Sequence, residues 1–372
     1  MGSIRRAPRS SRWEARYRDP YGAQRTATFD RKADAHVFLA TVEADKQRGL
    51  WRDPALSRIT FAAWADEYLN GAIHKQATTL AQDRQRLRKH LLPAFGSRAL
   101  GSITPLDVRQ FVQQLAQSHA PSTVRTIYGG LRTILAAAVA ADLIAVTPCR
   151  GVRLPPKRPI EKRVLTVAEL RRLGDAMSVE SRPIVYLAAV GSLRWEEVAG
   201  LRVGRINFMS RTPTLEVAEV FTDVGGFALP KSGASRRVIQ LPPFLVTMLA
   251  EHLARGASHG PDELLFVAPR GGPLRAANFH KRTWAPAVAK ADLEGFTFHG
   301  LRHSTVGLMV EMGHHPLVIQ RRLGHSSSQT TMDIYGHVLA ALDDSVTEDF
   351  ERLFSDSRGA DVMQRGADVR SH

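Results

Sequence analysis

The segment that most limits how this chain can fold is TPCRGVRLPPKRPIEKR, residues 147–163. Its prolines interrupt helices and its cations resist burial, so it predicts an extended connection rather than part of a core. At 372 residues the chain is also long for a single hydrophobic core. We therefore assign residues 148–164 as a linker between separately folded parts.

Helical signals dominate the part of the chain before this linker. The stretch TPLD places Thr104 at an N-cap, Pro105 at the first helical position and Asp107 at the third. From Ser122 onward, apolar residues recur at the spacing of one helix face. No strand pattern interrupts this region, so residues 58–147 are predicted to form an all-helical bundle.

The first 51 residues follow a different pattern. Apolar and polar residues alternate in WEARYR, and the turn DPYG leads into QRTATF, which predicts a β-hairpin. From Asp30, apolar spacing predicts one helix. Residues 1–51 are thus predicted to form a small sheet with a helix, and the hairpin is either a ribbon that enters a DNA groove or a solvated basic face. The arginines that motivate the first interpretation are Arg5, Arg6, Arg9, Arg12, Arg16, Arg18 and Arg25.

The part after the linker shows both kinds of element. Thr166 and Glu169 form a capping box that opens a helix. Strands are expected near TLEV and RRVIQL, with helices before and after them. Residues 165–356 are therefore predicted to be a mixed α+β domain, and residues 357–372, which lack an apolar period, a disordered tail. The fold class expected is multidomain and mainly α.

The charge and composition of the chain indicate which kind of molecule it binds. The formal net charge is +15 and the pI is about 10.5, which favours nucleic acid, although a basic balance also occurs in proteins with no such partner. No apolar run approaches the roughly 20 residues of a membrane span, and the N-terminus lacks the apolar core of a signal peptide. We predict a cytoplasmic, nucleoid-associated protein with no membrane partner. The single cysteine, Cys149, excludes an intrachain disulfide and is expected to be buried.

Two stretches concentrate reactive side chains: FHGLRHSTVG (298–307) and RRLGHSSSQTTMDIYGHV (321–338). They fit a metal site, a set of surface histidines or a phosphate-binding site. A metal site is disfavoured because Gly300 stands where a zinc-binding HExxH motif has glutamate, and Arg302 between His299 and His303 would repel a cation. We predict no metal and no cofactor. The other histidines are read as packing or capping residues: His303, His314, His315 and His337.

The same residue types suit a phosphate with an attacking hydroxyl. His299 and Arg302 are three positions apart on a helix, Gly324 ends the next helix and leaves His325 at a turn, and Tyr335 follows. Each of these side chains can donate a hydrogen bond, and tyrosine offers an oxygen nucleophile. The stripe expected to be buried on the first helix is Leu301, Thr305, Leu308 and Met312.

Two further cations lie upstream. Arg194 leads Glu197 by three positions in GSLRWEEVAGL. Lys231 precedes a glycine-containing turn between two likely strands, so we expect it at the tip of a hairpin.

Taken in series, these motifs resemble those of the tyrosine recombinases, or lambda-type phage integrases. The shared marks are Arg194 with Glu197, a hairpin Lys231, HxxR at His299 and Arg302, LGH ending at His325, and Tyr335 ten positions later. Order and spacing agree across residues 165–340. The helical bundle resembles the core-binding (SAM-like) domain of that family, and the first 51 residues resemble its arm-type DNA-binding domain.

The resemblance implies a site-specific DNA integrase that cuts and rejoins DNA without metal or ATP, through a 3′-phosphotyrosine. It assigns Arg194, Lys231, His299, Arg302, His325 and Tyr335 as catalytic, with Glu197 as a brace for Arg194. It also implies double-stranded attachment sites and a homotetramer, with an excisionase and a host DNA-bending protein as accessory partners. The alternatives are a dimer-resolving recombinase, a type IB topoisomerase and a DNA-binding regulator that does not cut.

Overall fold

A computed structural model describes residues 2–8, 10–20, 22–47, 56–156, 163–230, 233–256 and 260–324. These residues form two compact units, one on each side of residues 157–162. The mainly α, multidomain fold expected from the sequence is confirmed. No helix among the described residues is long and apolar enough to cross a membrane. The predicted tail, 357–372, lies outside the described residues, and the predicted domain limits stay predictions.

An antiparallel sheet packs against a helix near the N-terminus. Its elements are β1 (Ser3–Arg6), β2 (Trp13–Arg18), β3 (Gln24–Phe29) and α1 (Lys32–Gln47). The predicted hairpin is β2 with β3, in which Ala15 lies opposite Ala27. The Tyr17 ring meets Phe38 of α1 edge-on at 5.6 Å, which places the helix on the face of the sheet that carries Tyr17. Strand β1 was not predicted because SIRR has no apolar alternation.

The rest of the first unit is helical, as predicted. Its helices are α2 (Phe61–Asn70), α3 (Ala77–Arg86), α4 (Leu92–Phe95), α5 (Pro105–Ser118) and α6 (Pro121–Ala140), with a π-helical turn at Leu87–Leu91 between α3 and α4. Thr104 and Asp107 form the expected reciprocal capping box on α5. Leu131 and Leu135 of α6 are fully buried in the core of this bundle.

The beginning of the predicted linker belongs to this bundle. Cys149 is buried, as expected, and its carbonyl accepts a hydrogen bond from the Tyr128 hydroxyl at 2.8 Å. Arg125 Nε donates to the Pro155 carbonyl at 3.0 Å. No helix forms over residues 148–156, as the prolines predict, but Cys149, Val152 and Leu154 pack into the core of the bundle.

The second unit is mixed α+β. Its helices are α7 (Val167–Ala176), α8 (Arg182–Val190), α9 (Trp195–Ala199), α10 (Pro243–Arg255), α11 (Ala276–Phe279), α12 (Ala285–Lys290), α13 (Phe298–Glu311) and α14 (Pro316–Leu323). Its strands are β4 (Ile206–Asn207), β5 (Thr214–Val217), β6 (Val220–Thr222), β7 (Gly226–Ala228) and β8 (Arg237–Gln240). They form one sheet ordered β4-β5-β8 and a separate β6-β7 hairpin.

Helix α13 is enclosed on most of its sides. Leu301, Val306 and Val310 are buried, and the Leu165 N–H donates to the Ser304 hydroxyl at 2.9 Å. The prediction of a single buried stripe ending at Met312 is wrong, because Met312 is 64% exposed. A helix inside a core needs small or apolar residues all round, so a one-sided pattern does not describe it.

Candidate active site

Arg302 projects from α13 into the interior of the second unit. Thr297 starts the helix by accepting a hydrogen bond from the Gly300 N–H, which sets Arg302 in its second turn. The residue is only 2% exposed. Its Nη1 donates to the Ser192 carbonyl and its Nη2 to the Leu323 carbonyl. The guanidinium is therefore held between the loop before α9 and the end of α14.

Arg194 approaches the same place from the start of α9. Its Nη1 donates to Glu197 Oε1 at 2.8 Å, and its backbone N–H donates to Glu197 Oε2 at 2.9 Å. Glu197 is nearly completely buried, whereas the Arg194 side chain keeps 32% of its surface exposed. The predicted bracing contact between these two residues is thus present, and it leaves part of the guanidinium accessible.

A third arginine, which the sequence analysis missed, completes the cluster. Arg237 on β8 is buried and binds Glu197 with both terminal nitrogens, Nη1 to Oε1 at 3.0 Å and Nη2 to Oε2 at 2.9 Å. A signal for it does exist in the sequence. Strand alternation places Arg237 and Ile239 inward and leaves Val238 outward and exposed, so β8 carries a charge in an apolar position.

The ends of two helices supply further acceptors to the arginines of this part of the unit. The Val190 carbonyl, at the end of α8, accepts from Arg322 Nε at 3.1 Å and Nη2 at 2.7 Å. The Arg322 carbonyl, in the last turn of α14, accepts from Arg237 Nε at 2.9 Å. The last carbonyls of a helix lack intrahelical partners and carry its partial negative charge, so they stabilise cations there.

Positive charge remains in excess in this cluster. Burial, and then the charges of Arg194 and Arg237, lower the pKa of Arg302 to about 9. Burial would raise the pKa of Glu197, but the hydrogen bond and charge of Arg237, with a smaller contribution from Arg194, hold it below its usual value. Among the described residues, Glu197 is the carboxylate that accepts hydrogen bonds from Arg194 and Arg237, so one negative charge faces three arginines. An anion bound beside Arg194 and Arg302 would offset the excess, and a phosphate suits guanidinium geometry.

Ser192 has a backbone conformation that serves this cluster. Its φ of 54° lies in the left-handed region, and its carbonyl accepts from both Arg302 and Arg237 Nη2. The Ser192 hydroxyl is buried and has no hydrogen-bond partner within the described part of the chain. The turn after α8 is therefore shaped to present one carbonyl to two arginines.

We expect Ser192→Gly to raise the melting temperature by about 2 °C, because a left-handed φ costs a residue with a Cβ roughly 1 kcal/mol or more. Ser192→Val should lower it, since a β-branched side chain fits this region poorly. Thermal unfolding followed by circular dichroism measures both changes. A glycine variant that melts no higher than the unmodified protein would contradict this account of the turn.

The two histidines of α13 lie next to each other. His299 is exposed, and its ring meets the half-buried His303 ring edge-on at a centroid distance of 4.7 Å. The described residues contain no group of three or more side chains that could hold a metal ion. His299 thus lies on the same helix as Arg302, one turn earlier, and its side chain is exposed whereas that of Arg302 is buried.

Three predicted catalytic residues, Lys231, His325 and Tyr335, lie outside the described residues, so their assignment stays a prediction. Gly324 ends α14 in the left-handed conformation, as predicted, and His325 follows it directly in the chain. The expected strands TLEV and RRVIQL form β5 and β8, which pair antiparallel, and the β6-β7 hairpin lies between them in the chain. The expectation that Lys231 occupies a hairpin tip stays a prediction.

The arginines of the N-terminal sheet divide between its two faces. Arg16 and Arg18 alternate with the buried Ala15 and Tyr17, so they lie on the face away from α1, where Arg5 pairs with Glu14 at 2.6 Å. Arg25 shares a register position with Tyr17 and pairs with Asp19 at 3.1 Å. Of the others, Arg12 pairs with Asp30 at 2.8 Å, Arg6 lies 5.6 Å from the Trp13 ring centroid, and Arg9 is outside the described residues.

Comparison with known families gives three matches along the chain. Residues 1–48 match the phage integrase N-terminal domain, residues 61–154 the phage integrase central domain, and residues 163–341 the phage integrase family. The prophage phiRv2 integrase of Mycobacterium tuberculosis strain H37Rv is 30% identical over 353 residues, covering 92% of this chain and 93% of the relative. The integrase of Mycobacterium phage D29 is 28% identical over 370 residues, covering 95% and 96%.

Solved structures agree in fold. The Tn1549 transposon integrase in complex with a circular intermediate DNA matches with a TM-score of 0.66 at 16% identity, covering 74% of this chain and 94% of that one. A lambda integrase dimer bound to a COC′ core site matches with a TM-score of 0.58 at 16% identity, covering 90% and 93%. The three family matches, with the 30% identity to the phiRv2 integrase over 92% of the chain, show that the chain belongs to the phage integrase family.

Proposed function

We propose that this protein is a site-specific tyrosine recombinase that integrates phage or mobile-element DNA by cutting and rejoining strands through a 3′-phosphotyrosine. The observation that carries the proposal is that Arg194, at the start of α9, and Arg302, on α13, belong to one cluster with an excess of positive charge, in which Arg302 is buried and Arg194 partly exposed. Such a cluster can hold the scissile phosphate and offset the negative charge that develops on its oxygens in the transition state.

The attacking group is the Tyr335 hydroxyl. Its pKa is near 10 when unperturbed, so at neutral pH it needs a proton acceptor and a positive field. His299 accepts the proton as the phenolic oxygen attacks phosphorus, and Lys231 protonates the departing 5′ oxygen. His325 donates a hydrogen bond to the phosphate, and Glu197 holds Arg194 in place. Attack by the 5′ hydroxyl of the partner strand on the phosphotyrosine reverses these steps, so neither ATP nor a metal is required.

The rest of the chain binds the DNA that positions this reaction. The sheet face that carries Arg5, Arg16 and Arg18 is the arm-type DNA-binding surface of the first domain, and the helical bundle binds the core site with the catalytic domain. Recombination needs four strand cuts and each chain supplies one tyrosine, so the active form is a tetramer. An excisionase and a host DNA-bending protein set its direction.

A nicked suicide substrate tests this function. The full chain is incubated with a duplex that contains the attachment site adjoining its gene and a nick beside the cleavage position, in EDTA and without ATP. We expect a covalent protein–DNA complex that survives denaturation, and none on a duplex of unrelated sequence. Binding without trapping would indicate a non-cleaving regulator, and trapping that requires a divalent metal would contradict the mechanism.

Integration is separated from dimer resolution by a recombination assay. Two plasmids, one with the attachment site of the element and one with that of the host, should join when the protein is supplied with the accessory factors. Efficient resolution of directly repeated identical sites, without joining of unlike sites, would favour the dimer-resolving alternative.

A further inference from the structure

We propose that Arg237 is a positioning residue for strand cleavage: it fixes Glu197 and the end of α14 in one arrangement and so sets Arg194 against the phosphate. This role rests on the proposed function. Arg237 links three parts of the unit, since its guanidinium contacts Glu197 of α9, the Ser192 carbonyl before α9 and the Arg322 carbonyl of α14.

The donors of Arg237 distinguish it from the residues that bind phosphate. A guanidinium has five N–H donors. Those of Arg237 match five acceptors: both carboxylate oxygens of Glu197 and the carbonyls of Ser192, Ser235 and Arg322, at 2.9 to 3.2 Å. The side chain is 5% exposed. Arg237 thus has no donor left for substrate, whereas the bonds of Arg302 within the described residues use two of its donors.

The first consequence concerns Arg194. Its orientation depends on Glu197, and Glu197 is held as a buried carboxylate by the parallel pair of bonds from Arg237. A buried carboxylate with one partner fewer would favour its neutral form, which cannot form the ion pair with Arg194. Arg237 therefore keeps Glu197 charged and correctly turned, and through it keeps Arg194 in place.

The second consequence concerns the end of α14. Arg237 Nε binds the Arg322 carbonyl and Arg302 Nη2 binds the next carbonyl, that of Leu323. Two arginines from different elements thus hold consecutive carbonyls of one helical turn. Gly324 follows, and then His325, the predicted phosphate ligand. By binding the Arg322 carbonyl, Arg237 helps to fix the position of the last turn of α14.

The test compares Arg237→Gln and Arg237→Lys with Arg236→Gln, a matched control one residue away. Arg236 has a 57% exposed side chain and lies 3.6 Å from Glu216. We measure single-turnover cleavage of the nicked substrate and DNA affinity for each full-length variant.

Arg237→Gln should cleave about 100-fold more slowly, the usual cost of a small displacement of reacting groups, with DNA affinity within about threefold of the unmodified protein. Arg237→Lys should lose about tenfold, because one ammonium cannot replace a five-donor fork. Arg236→Gln should match the unmodified protein.

A pH profile separates positioning from a purely structural role. The charged groups around Glu197 are Arg194 on its own element, Arg237 on β8 and Arg302 on α13. Burial raises the pKa of Glu197 once Arg237 is gone, so its carboxylate is lost as pH falls through the raised value. Between about pH 8 and pH 5.5, cleavage by Arg237→Gln should decline more steeply than cleavage by the unmodified protein. Adding Glu197→Gln should remove that extra decline.

Each outcome decides between the alternatives. Cleavage by Arg237→Gln at the normal rate, or a parallel loss of DNA binding and cleavage, overturns the positioning role. If Arg237→Gln melts below the assay temperature, Arg237→Lys, which keeps the buried charge, decides the matter, and a normal rate in that variant overturns the role. Absence of trapping by the unmodified protein overturns the proposed function itself, a result distinct from an unaffected Arg237 variant.

Discussion

Tyr335→Phe is expected to abolish covalent trapping on nicked attachment-site DNA while DNA affinity changes less than about threefold. Phenylalanine keeps the aromatic ring but removes the oxygen that becomes bonded to phosphorus in the proposed mechanism, and no proton transfer elsewhere in the site compensates for that loss. The reduction should exceed about 10⁴-fold, beyond the contribution of one acid or base. Denaturing gels report the covalent complex, and mobility shifts report binding.

Tyr128→Phe is the matched control for this experiment. The Tyr128 hydroxyl donates to the Cys149 carbonyl inside the helical bundle, remote in sequence from the cluster. Removal of this hydroxyl leaves a buried carbonyl without its partner and should lower stability by about 1 kcal/mol, with trapping intact below the melting temperature. Trapping that persists in Tyr335→Phe would show that another residue is the nucleophile.

Arg302→Gln should reduce the rate of single-turnover cleavage by about 10²- to 10³-fold or more, as loss of one transition-state donor does at other preorganised sites. Glutamine is shorter than arginine and uncharged, so it does not replace the terminal nitrogens that bind the two carbonyls and carries no charge for the phosphate. Arg302→Lys should not restore the rate, because an ammonium cannot bind two carbonyls and an anion in the geometry of a planar fork. Quench-flow with the nicked substrate measures the rate.

Arg255→Gln serves as the control for charge alone. Arg255 is exposed near the end of α10 and lies 3.8 Å from Glu251, so its loss removes the same formal charge from the surface. It should leave cleavage within about twofold, since exposed ion pairs contribute little. A loss of less than tenfold in Arg302→Gln, or an equal loss in Arg255→Gln, would show that net charge rather than the buried cluster drives catalysis.

The features predicted correctly depend on neighbours in the chain. The capping boxes of Thr104 with Asp107 and of Thr166 with Glu169 form as expected, because a cap is satisfied within one helical turn. The β2-β3 hairpin likewise follows from alternation and a short turn. Arg194 was paired correctly with Glu197 because three positions span one turn of α9.

The features that were missed depend on residues far apart in sequence. Arg237 looked like one basic residue in a strand until folding set it against Glu197, forty positions earlier. The carbonyls of α8 and α14 gained their role only where those helix ends came together. Met312 is exposed, since α13 ends at Glu311, one residue before it.

The sequence by itself thus determined the arginines and the glutamate that are available, and the helix caps and short turns near them. The position of each arginine relative to one buried carboxylate was set by packing, since a charge can be buried only where partners from several elements arrive together.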